Sequence, residues 1–299
     1  ALAYLSKDAA KKIANRPDMI MCGVYAPMGR AVREGDTYTV SGTWPWGSNS
    51  PNSQWMMGGC AVVENGDIVR LPNGGPDPRM LIFSVDQVTL NDTWHASGLK
   101  GTGSGEMQVT NARVPVEFSV SLINDRPSVD TPLYTFPVFG MLALGIASVA
   151  LGNARAAIDD LVTLASTKKP QASARRLADQ PYTRTEVARA EAAVESARAL
   201  MFNAIESTWD KAVAGETMSI EDRARLRLAA THATRTSADA VTAMYQLAGG
   251  SSVFLSSPLQ RRFRDAHVAT QHMMVAPSTY ELTGRVRLGL ESDVSFLSS

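Results

Sequence analysis

The sequence predicts an α+β fold, in which a small antiparallel β-barrel or sandwich is followed by a C-terminal four-helix bundle. Between residues 19 and 121, apolar and polar residues alternate with the period of two that is typical of strands. From Phe139 onward, long Ala-rich stretches carry apolar residues at helical spacing. Because the helices follow the strands and do not alternate with them, a parallel βαβ sheet is not expected.

The elements can be placed in chain order, and they divide the sequence into three parts. Residues 1–15 form a short helical tail, 16–131 a β domain and 132–299 the helical bundle. Strands are predicted at 19–25, 37–41, 55–63, 80–85, 107–110 and 116–120, with turns at 34–36, 64–67 and 72–76. A Pro-rich link at 122–137 precedes helices at about 139–166, 186–214 and 220–247, and a fourth helix starts at Ser257.

Composition excludes several classes of function. Lys plus Arg number 29 and so do Asp plus Glu, and a chain without net positive charge is a poor candidate for binding nucleic acid. Two distant cysteines, Cys22 and Cys60, favour a reducing cytoplasm and form no metal-ligand cluster. The N-terminus lacks the order of a signal peptide. The apolar run at 136–150 is short for a membrane span, so we expect a buried helix there.

Two segments of the predicted β domain are candidates for binding a ligand. In residues 40–50, Trp44 and Trp46 lie beside Gly47 and Ser48, which would give a planar heteroaromatic ligand a flat wall and polar donors. A packed hairpin corner explains the same residues equally well. Residues 94–105 are rich in glycine, which allows either close approach to a ligand or tight turns.

Two further candidates lie in the helical part. At 246–250, Gln-x-x-Gly-Gly either stops a helix or offers backbone amides to a phosphate or a ring edge. The next helix has Ser257 as a cap, Pro258 at its first position and Gln260 completing a capping box. Helical spacing then puts Asp265 and His272 in one row. Taken alone, this stretch favours an ordinary core helix with a hydrogen-bonded histidine.

Together these motifs resemble, in order, those of the acyl-CoA dehydrogenase superfamily. They are Ser-Gly-x-Trp-x-Trp-x-Ser at 41–48, Trp-x-x-x-Gly-Leu-x-Gly-Thr-Gly-Ser at 94–104, Gln-x-x-Gly-Gly at 246–250 and the pair Arg264-Asp265. The resemblance implies a β domain, a C-terminal four-helix bundle, a flavin between them and usually a homotetramer. The superfamily also has an N-terminal helical domain. Residues 1–15 are similar to its last part, so the sequence is expected to be a truncated form.

Within the superfamily, one position separates dehydrogenases from oxygenases. A dehydrogenase needs a carboxylate base, commonly in Tyr-Glu-Gly-Thr soon after the Arg-Asp pair, and here that place holds Gln271-His272-Met273. Glu281 comes later, at a different offset and without the glycine. His272 is similar to the histidine of the oxygenase components of two-component flavin-dependent monooxygenases, which hydroxylate phenols or polycyclic compounds.

This resemblance implies an activity and a set of partners. A separate NAD(P)H-dependent reductase would supply reduced FMN or FAD, and O2 would form a C4a-hydroperoxyflavin that hydroxylates an aromatic or polycyclic substrate while water is excluded. Ser48 would bond near flavin N5, and Trp46 would pack on the ring. His272 would stabilise the peroxide or take a phenol proton, because an imidazole titrates near working pH. Candidates for binding the flavin tail or phosphate are Gln246, Gly249, Gly250 and either Arg175 or Arg176.

Two alternatives stay open at this point. One is an acyl-CoA dehydrogenase or oxidase that uses FAD, with Glu281 as the base. The other is a non-catalytic oligomeric scaffold of the same fold. The sequence leaves the substrate and the choice between FMN and FAD undecided.

Overall fold

The computed structural model describes residues 1–71, 74–171 and 173–290. They form two compact units: a β unit of 1–96 and 100–134, and a helical unit of Ser97–Leu99 and the residues from Thr135 onward. Two parts of the prediction lie outside the described residues. They are the first two residues of the turn at 72–76, and residues 291–299 at the end of the bundle.

The described residues of the β unit include an N-terminal helix and an eight-stranded sheet. The elements are α1 (Lys7–Ile13), β1 (Met21–Glu34), β2 (Thr37–Trp44), β3 (Trp55–Glu64), β4 (Asp67–Ile68), β5 (Pro78–Ser84), β6 (Thr89–Asn91), β7 (Glu106–Pro115) and β8 (Ser119–Val120). Neighbouring strands follow the order β6-β7-β2-β1-β3-β5-β8, with β4 paired to β3. The predicted strand at 116–120 is a 3-10 turn followed by the two residues of β8.

The sheet is mixed, so the prediction of a purely antiparallel arrangement is wrong for one pair. β1 and β3 are parallel neighbours, with Met21 opposite Trp55 and Val32 opposite Val63. The reason is the ten-residue connection 45–54. It leaves the end of β2 and returns to the start of β1, where the Gln54 amide donates to the Ile20 carbonyl at 3.0 Å. A strand that begins beside the start of β1 must run in the same direction.

The centre of the β unit is the ring of Trp44, which is fully buried. Its Nε1 donates to the Gly59 carbonyl at 2.7 Å, and its ring centroid lies 5.7 Å from that of Phe83. Since β2 and β5 are separated by two strands, this contact requires the sheet to curl around the indole. A Cβ on Gly42 or Gly58 would lie 2.6 or 2.5 Å from Trp44, so glycines form the bed of the ring.

The N-terminal helix α1 packs on the β unit. Ser6 caps it by accepting from the Ala9 amide at 3.2 Å. Its buried side includes Ala9 and Ile13, which cluster with Ile82 and Val120 of the sheet. The sequence predicted a short helix in this part of the chain, residues 1–15.

The helical unit is built around one helix, α5, which packs against four others. The helices from the end of the β unit onward are α2 (Pro132–Thr135), α3 (Val138–Thr167), α4 (Pro181–Val213), α5 (Ile220–Ala248), α6 (Pro258–Ala269) and α7 (Ser278–Arg287). Alanines fill the contact face of α5, among them Ala229, Ala230 and Ala233, so neighbouring backbones approach closely. The four long helices predicted from the sequence are α3 to α6.

Helix α3 is longer than the predicted apolar run at 136–150 and, by length and composition, could cross a membrane. The argument from shortness was therefore wrong. The expectation of a buried helix is met for one face, because Phe139, Ala147, Ala154 and Leu161, spaced seven or eight residues (two helical turns) apart, are buried. A helix that packs one face into a bundle has this pattern.

Both ends of α6 differ from the prediction. Pro258 occupies the first turn as expected, but Ser257 forms no side-chain cap. The Ser257 amide already donates to Phe254, and Gln260 donates to the Leu255 carbonyl, so no capping box forms. The helix ends at Ala269, and tighter hydrogen bonds then carry the chain out of helical geometry before His272. His272 therefore shares no helix face with Asp265.

The glycine bed gives a direct stability test. Gly58→Ala places a Cβ 2.5 Å from the indole of Trp44, whereas Gly101→Ala, in the same unit, meets nothing within 4 Å. We expect Gly58→Ala to lower the free energy of unfolding by about 1–3 kcal/mol, measured by chemical denaturation, because the core is already full. Alanine for glycine in open space is neutral or stabilising. Equal stabilities of the two variants would contradict this packing.

Candidate functional site

The segment after β2 is a tight corner that carries an exposed tryptophan. The Trp46 side chain is 62% exposed, and its backbone lies in the left-handed region, with φ of 66°. Asn49 has the same φ, so two residues in a conformation that side chains disfavour flank Ser48. Such strain persists only where surrounding contacts impose it, and it is frequent at ligand sites.

Those contacts come from the glycine-rich segment that the sequence also singled out. The Gly47 amide donates to the Gly105 carbonyl at 2.9 Å, and the Asn49 amide donates to the Thr102 carbonyl at 2.7 Å. A Cβ on Gly47 would meet Met107 at 2.8 Å. The two predicted ligand segments thus form one corner within the β unit, and we call residues 46–49 with 102–105 the tryptophan corner.

A chain of hydroxyl groups orients Ser48. Its Oγ lies 2.8 Å from Oγ of Ser104, which lies 2.6 Å from Oγ1 of Thr102. Ser104 is buried and Ser48 is exposed. An exposed hydroxyl that is hydrogen-bonded to a buried one, as Ser48 is to Ser104, is held in place and can still bond to a ligand.

The expected wall of two tryptophans is not formed. Trp44 is a core residue on its bed of glycines, and only Trp46 presents its ring at the surface of the β unit. The difference follows from the backbone, because β2 ends at Trp44 and the positive φ of Trp46 redirects the next indole.

In the helical unit, the Gln-x-x-Gly-Gly motif ends α5 and exposes its backbone. Gly249 has φ 55° and ψ −145°, a conformation essentially restricted to glycine. Gln246, Gly249 and Gly250 are exposed, and a Cβ on Gly250 would meet nothing within 4 Å. The motif therefore acts as a helix stop and also leaves open space beside its backbone.

The cation at this motif is Lys168, which the sequence analysis did not select. Its ammonium group donates to the Ala248 carbonyl and, at 2.8 Å, to Oγ of Ser251. Positive charge at the C-terminal end of α5 is favoured by the helix dipole. The predicted Arg176 is exposed and makes two bonds to Asp179, at 3.0 and 3.1 Å. Only the three-dimensional contact distinguishes Lys168 from the other cations of its loop.

The Arg264-Asp265 pair fastens a turn to α6. Asp265 accepts the Leu99 amide at 2.6 Å, and Arg264 donates to the Ser97 carbonyl at 3.1 Å. Between them, a Cβ on Gly98 would lie 2.5 Å from the Arg264 carbonyl oxygen. Leu99 is held at a positive φ of 50°. The sequence motif thus has a structural explanation within the helical unit.

His272 begins the 3-10 turn Met273–Val275 that follows α6. Its Nδ1 accepts the Met274 amide at 3.2 Å, and the Met274 carbonyl accepts Nη2 of Arg227 at 2.9 Å. His272 keeps part of its surface open, yet desolvation and then the charge of Arg227 lower the pKa of the imidazole. Burial lowers the pKa of Arg227 to about 10, so it stays cationic at neutral pH. His272 is therefore neutral near pH 7.

The carboxylate that a dehydrogenase would require is engaged elsewhere. Glu281, on α7, is exposed and bonded to Nε of Arg285 at 2.6 Å, one helical turn away. This ion pair is of the ordinary i,i+4 type found on helix surfaces.

Each unit, taken by itself, carries residues that fit the needs of a flavin. A planar ring needs a flat apolar surface and a few oriented polar groups, which Trp46 and Ser48 provide in the β unit. A phosphate-bearing tail needs a cation and room for close approach to the backbone, which Lys168 and the exposed Gly249 and Gly250 offer in the helical unit.

Comparison with known proteins agrees with this fit. The family described as "Acyl-CoA dehydrogenase, C-terminal domain" matches residues 144–277. Indole-3-acetate monooxygenase of Pseudomonas putida is 32% identical over 96% of the chain and 72% of its own length. The oxygenase component of the FADH2-dependent resorcinol hydroxylase of Rhizobium sp. is 28% identical, over 92% and 70%. The structure of XiaF from Streptomyces sp., in complex with FADH2 and glycerol, superposes with a TM-score of 0.88 at 25% identity, over 98% and 75%.

These matches confirm the predicted resemblance, the α+β fold class and reduced flavin as the cofactor. The helical part matches the dehydrogenase family, and the relatives over nearly the whole chain are monooxygenases. The chain therefore belongs to the acyl-CoA dehydrogenase superfamily, among the oxygenase components of flavin-dependent monooxygenases.

Proposed function

We propose that the protein hydroxylates an aromatic or polycyclic substrate with O2 and reduced FMN or FAD delivered by a separate NAD(P)H-dependent reductase. The main supporting observation is the position of His272. Its imidazole, held by the Met274 amide, lies in the region of sequence where a dehydrogenase of this superfamily has its carboxylate. The names of the relatives, which refer to indole-3-acetate and resorcinol, support an aromatic ring as substrate.

The flavin, when bound, supplies two electrons, so that one oxygen atom enters the substrate and the other leaves as water. Trp46 offers a flat apolar surface for the ring system. The Ser48 hydroxyl, oriented by Ser104, would form a hydrogen bond with the polar edge of the ring. His272 holds or moves a proton on a reacting oxygen atom, for which a neutral imidazole is suited at working pH.

We assign the charged tail of the flavin to the end of α5. Gly249 and Gly250 offer exposed backbone, and Lys168 offers a positive charge fixed by Ala248 and Ser251. Gln246 is exposed on the same turn. Arg176, the arginine chosen from the sequence, would have to exchange Asp179 for a phosphate, so Lys168 is the stronger candidate.

Replacing His272 by Ala should abolish hydroxylation while the affinity for flavin stays within a few-fold, because the side chain handles a proton and does not anchor the cofactor. Hydroxylated product and flavin affinity are measured separately, the second by fluorescence titration. His232→Ala, on α5, is the matched control and should keep its activity. Hydroxylation by His272→Ala at the normal rate would remove His272 from the mechanism.

Replacing Lys168 by Met should weaken flavin binding at least about ten-fold, which corresponds to about 1.4 kcal/mol for a lost charged hydrogen bond. Lys169→Met removes an exposed neighbouring charge and should change the dissociation constant little. Equal dissociation constants for the two variants, measured by titration with reduced flavin under anaerobic conditions, would contradict the assignment.

We also propose a homotetramer, supported by an exposed apolar segment. Val253, Phe254 and Leu255 follow the Gly249–Gly250 turn and are 60, 64 and 85% exposed. Adjacent apolar side chains exposed to this degree are typical of interaction surfaces. Light scattering should give four times the chain mass of 32.1 kDa, and a monomer at all concentrations would exclude the tetramer.

The location that we propose is the cytoplasm. Cys22 and Cys60 are both free and buried, as expected in a reducing compartment. Recovery of the protein from a periplasmic or secreted fraction would contradict this.

A further inference from the structure

We propose that Arg227 is a positioning residue for His272, which it fixes as a hydrogen-bond donor through Nε2. This inference deepens the proposed function and rests on it for the statement that His272 meets a reacting group. It concerns the turn formed by His272 and Met273–Val275, which we call the histidine turn.

The first step is the identity of the protonated ring nitrogen. The Met274 amide lies 3.2 Å from Nδ1 of His272, and an amide N–H can only donate. Nδ1 is therefore the acceptor, and a neutral ring must carry its hydrogen on Nε2.

The second step is the link to Arg227. Nη2 of Arg227 donates to the Met274 carbonyl at 2.9 Å. The backbone of Met274 thus links the two side chains, because its N–H donates to the imidazole and its C=O accepts from the guanidinium. The Val275 amide closes the turn by donating to the His272 carbonyl at 3.0 Å. Arg227, Met274 and Val275 are buried. One buried residue of α5 thus determines where the imidazole ring is held.

The third step is the charge around the imidazole. Helices α5 and α3 pack against the histidine turn. Arg227, from α5, opposes protonation of the ring, and α3 has no titratable side chain before Arg155. Three titratable groups of the flanking helices α6 and α7 bond elsewhere: Asp265 with Leu99, His267 with Thr242 and Glu281 with Arg285. Asp265 and Glu281 are thus bonded to other groups and do not offset the positive charge of Arg227 at the ring.

The sequence left two roles open for His272: stabilising the peroxide by a hydrogen bond, or removing a proton from a phenol. The hydrogen on Nε2 decides between them. A ring with Nε2–H can donate a hydrogen bond to an oxygen atom. To remove a proton from a phenol, it would first have to shift its hydrogen and give up the Met274 bond. His272 therefore acts as a donor, and the substrate need not contain an ionisable hydroxyl group.

Nitrogen NMR of the flavin-free protein labelled with ¹⁵N-histidine tests this directly. The chain has four histidines, and His272→Gln assigns the signals of His272. We expect Nε2 to carry the hydrogen at neutral pH and Nδ1 to be unprotonated. We further expect Arg227→Met to raise the pKa of His272 towards its ordinary value, because loss of the cation favours the imidazolium.

Two further variants test whether the pKa of His272 responds to the charge of Arg227 in particular. Arg225→Met removes a positive charge from an exposed position of the same helix, bonded to Asn203, and should leave the pKa of His272 unchanged. Arg227→Lys keeps the charge and should keep the pKa low. If Arg227→Met does not fold, the wild-type tautomer and Arg227→Lys still decide the question.

A hydrogen on Nδ1 in the wild-type protein would overturn the inference, as would the same pKa of His272 in Arg227→Met and Arg225→Met. These outcomes are independent of catalysis. Normal hydroxylation by His272→Ala would instead contradict the proposed function and leave the NMR result intact.

Discussion

The burial of Arg227 is the constraint on which the candidate site of the helical unit depends. A guanidinium removed from water costs free energy unless it is hydrogen-bonded, and the Met274 carbonyl is one of its acceptors. That bond fixes a turn just after the end of α6. The same turn carries His272. The packing of α5 at the centre of the bundle therefore determines where this exposed imidazole lies and which of its nitrogens accepts a hydrogen bond. Partial burial of the ring and, after it, the positive charge of Arg227 lower the pKa of this imidazole.

In the β unit, the corresponding constraint is the placement of two tryptophans, Trp44 in the core and Trp46 at the surface. Trp44 fills the centre of the curled sheet because Gly29, Gly42 and Gly58, on the neighbouring strands β1, β2 and β3, leave room for its ring. Two residues later, a positive φ turns Trp46 outward, and backbone bonds from the glycine-rich segment hold it there. The rigid core and the exposed ring are therefore consecutive parts of one motif. Rigid support of this kind is what a binding surface for a planar cofactor requires.

Much of the fold could be predicted because local patterns determine it. Period-two alternation gave most strands, and Ala-rich helical spacing gave α3 to α6. The parallel pairing of β1 and β3 could not be predicted, because it depends on the path of residues 45–54. The burial of Trp44 and exposure of Trp46 also escaped prediction, since the two side chains are alike and glycines distant in sequence distinguish them.

The candidate site was predicted less completely for the same reason. His272 was selected from the sequence as the position that separates this chain from the dehydrogenase pattern, and its role stays a prediction. It was placed on a helix that ends three residues earlier. Lys168 and Arg227 were missed because their importance comes only from contacts made across the bundle, with Ala248, Ser251 and Met274. Nothing in the sequence around Arg227 separates it from the other arginines of α5.

The central claim is that the protein transfers oxygen and does not abstract hydride from an acyl thioester. The most direct measurement mixes the protein with reduced flavin and ¹⁸O-labelled O2 in the presence of a panel of indoles, phenols and acyl-CoA thioesters. We predict an aromatic product that contains one labelled oxygen atom and forms only with reduced flavin. Absence of labelled product, together with reduction of bound oxidised FAD by an acyl-CoA, would contradict the account.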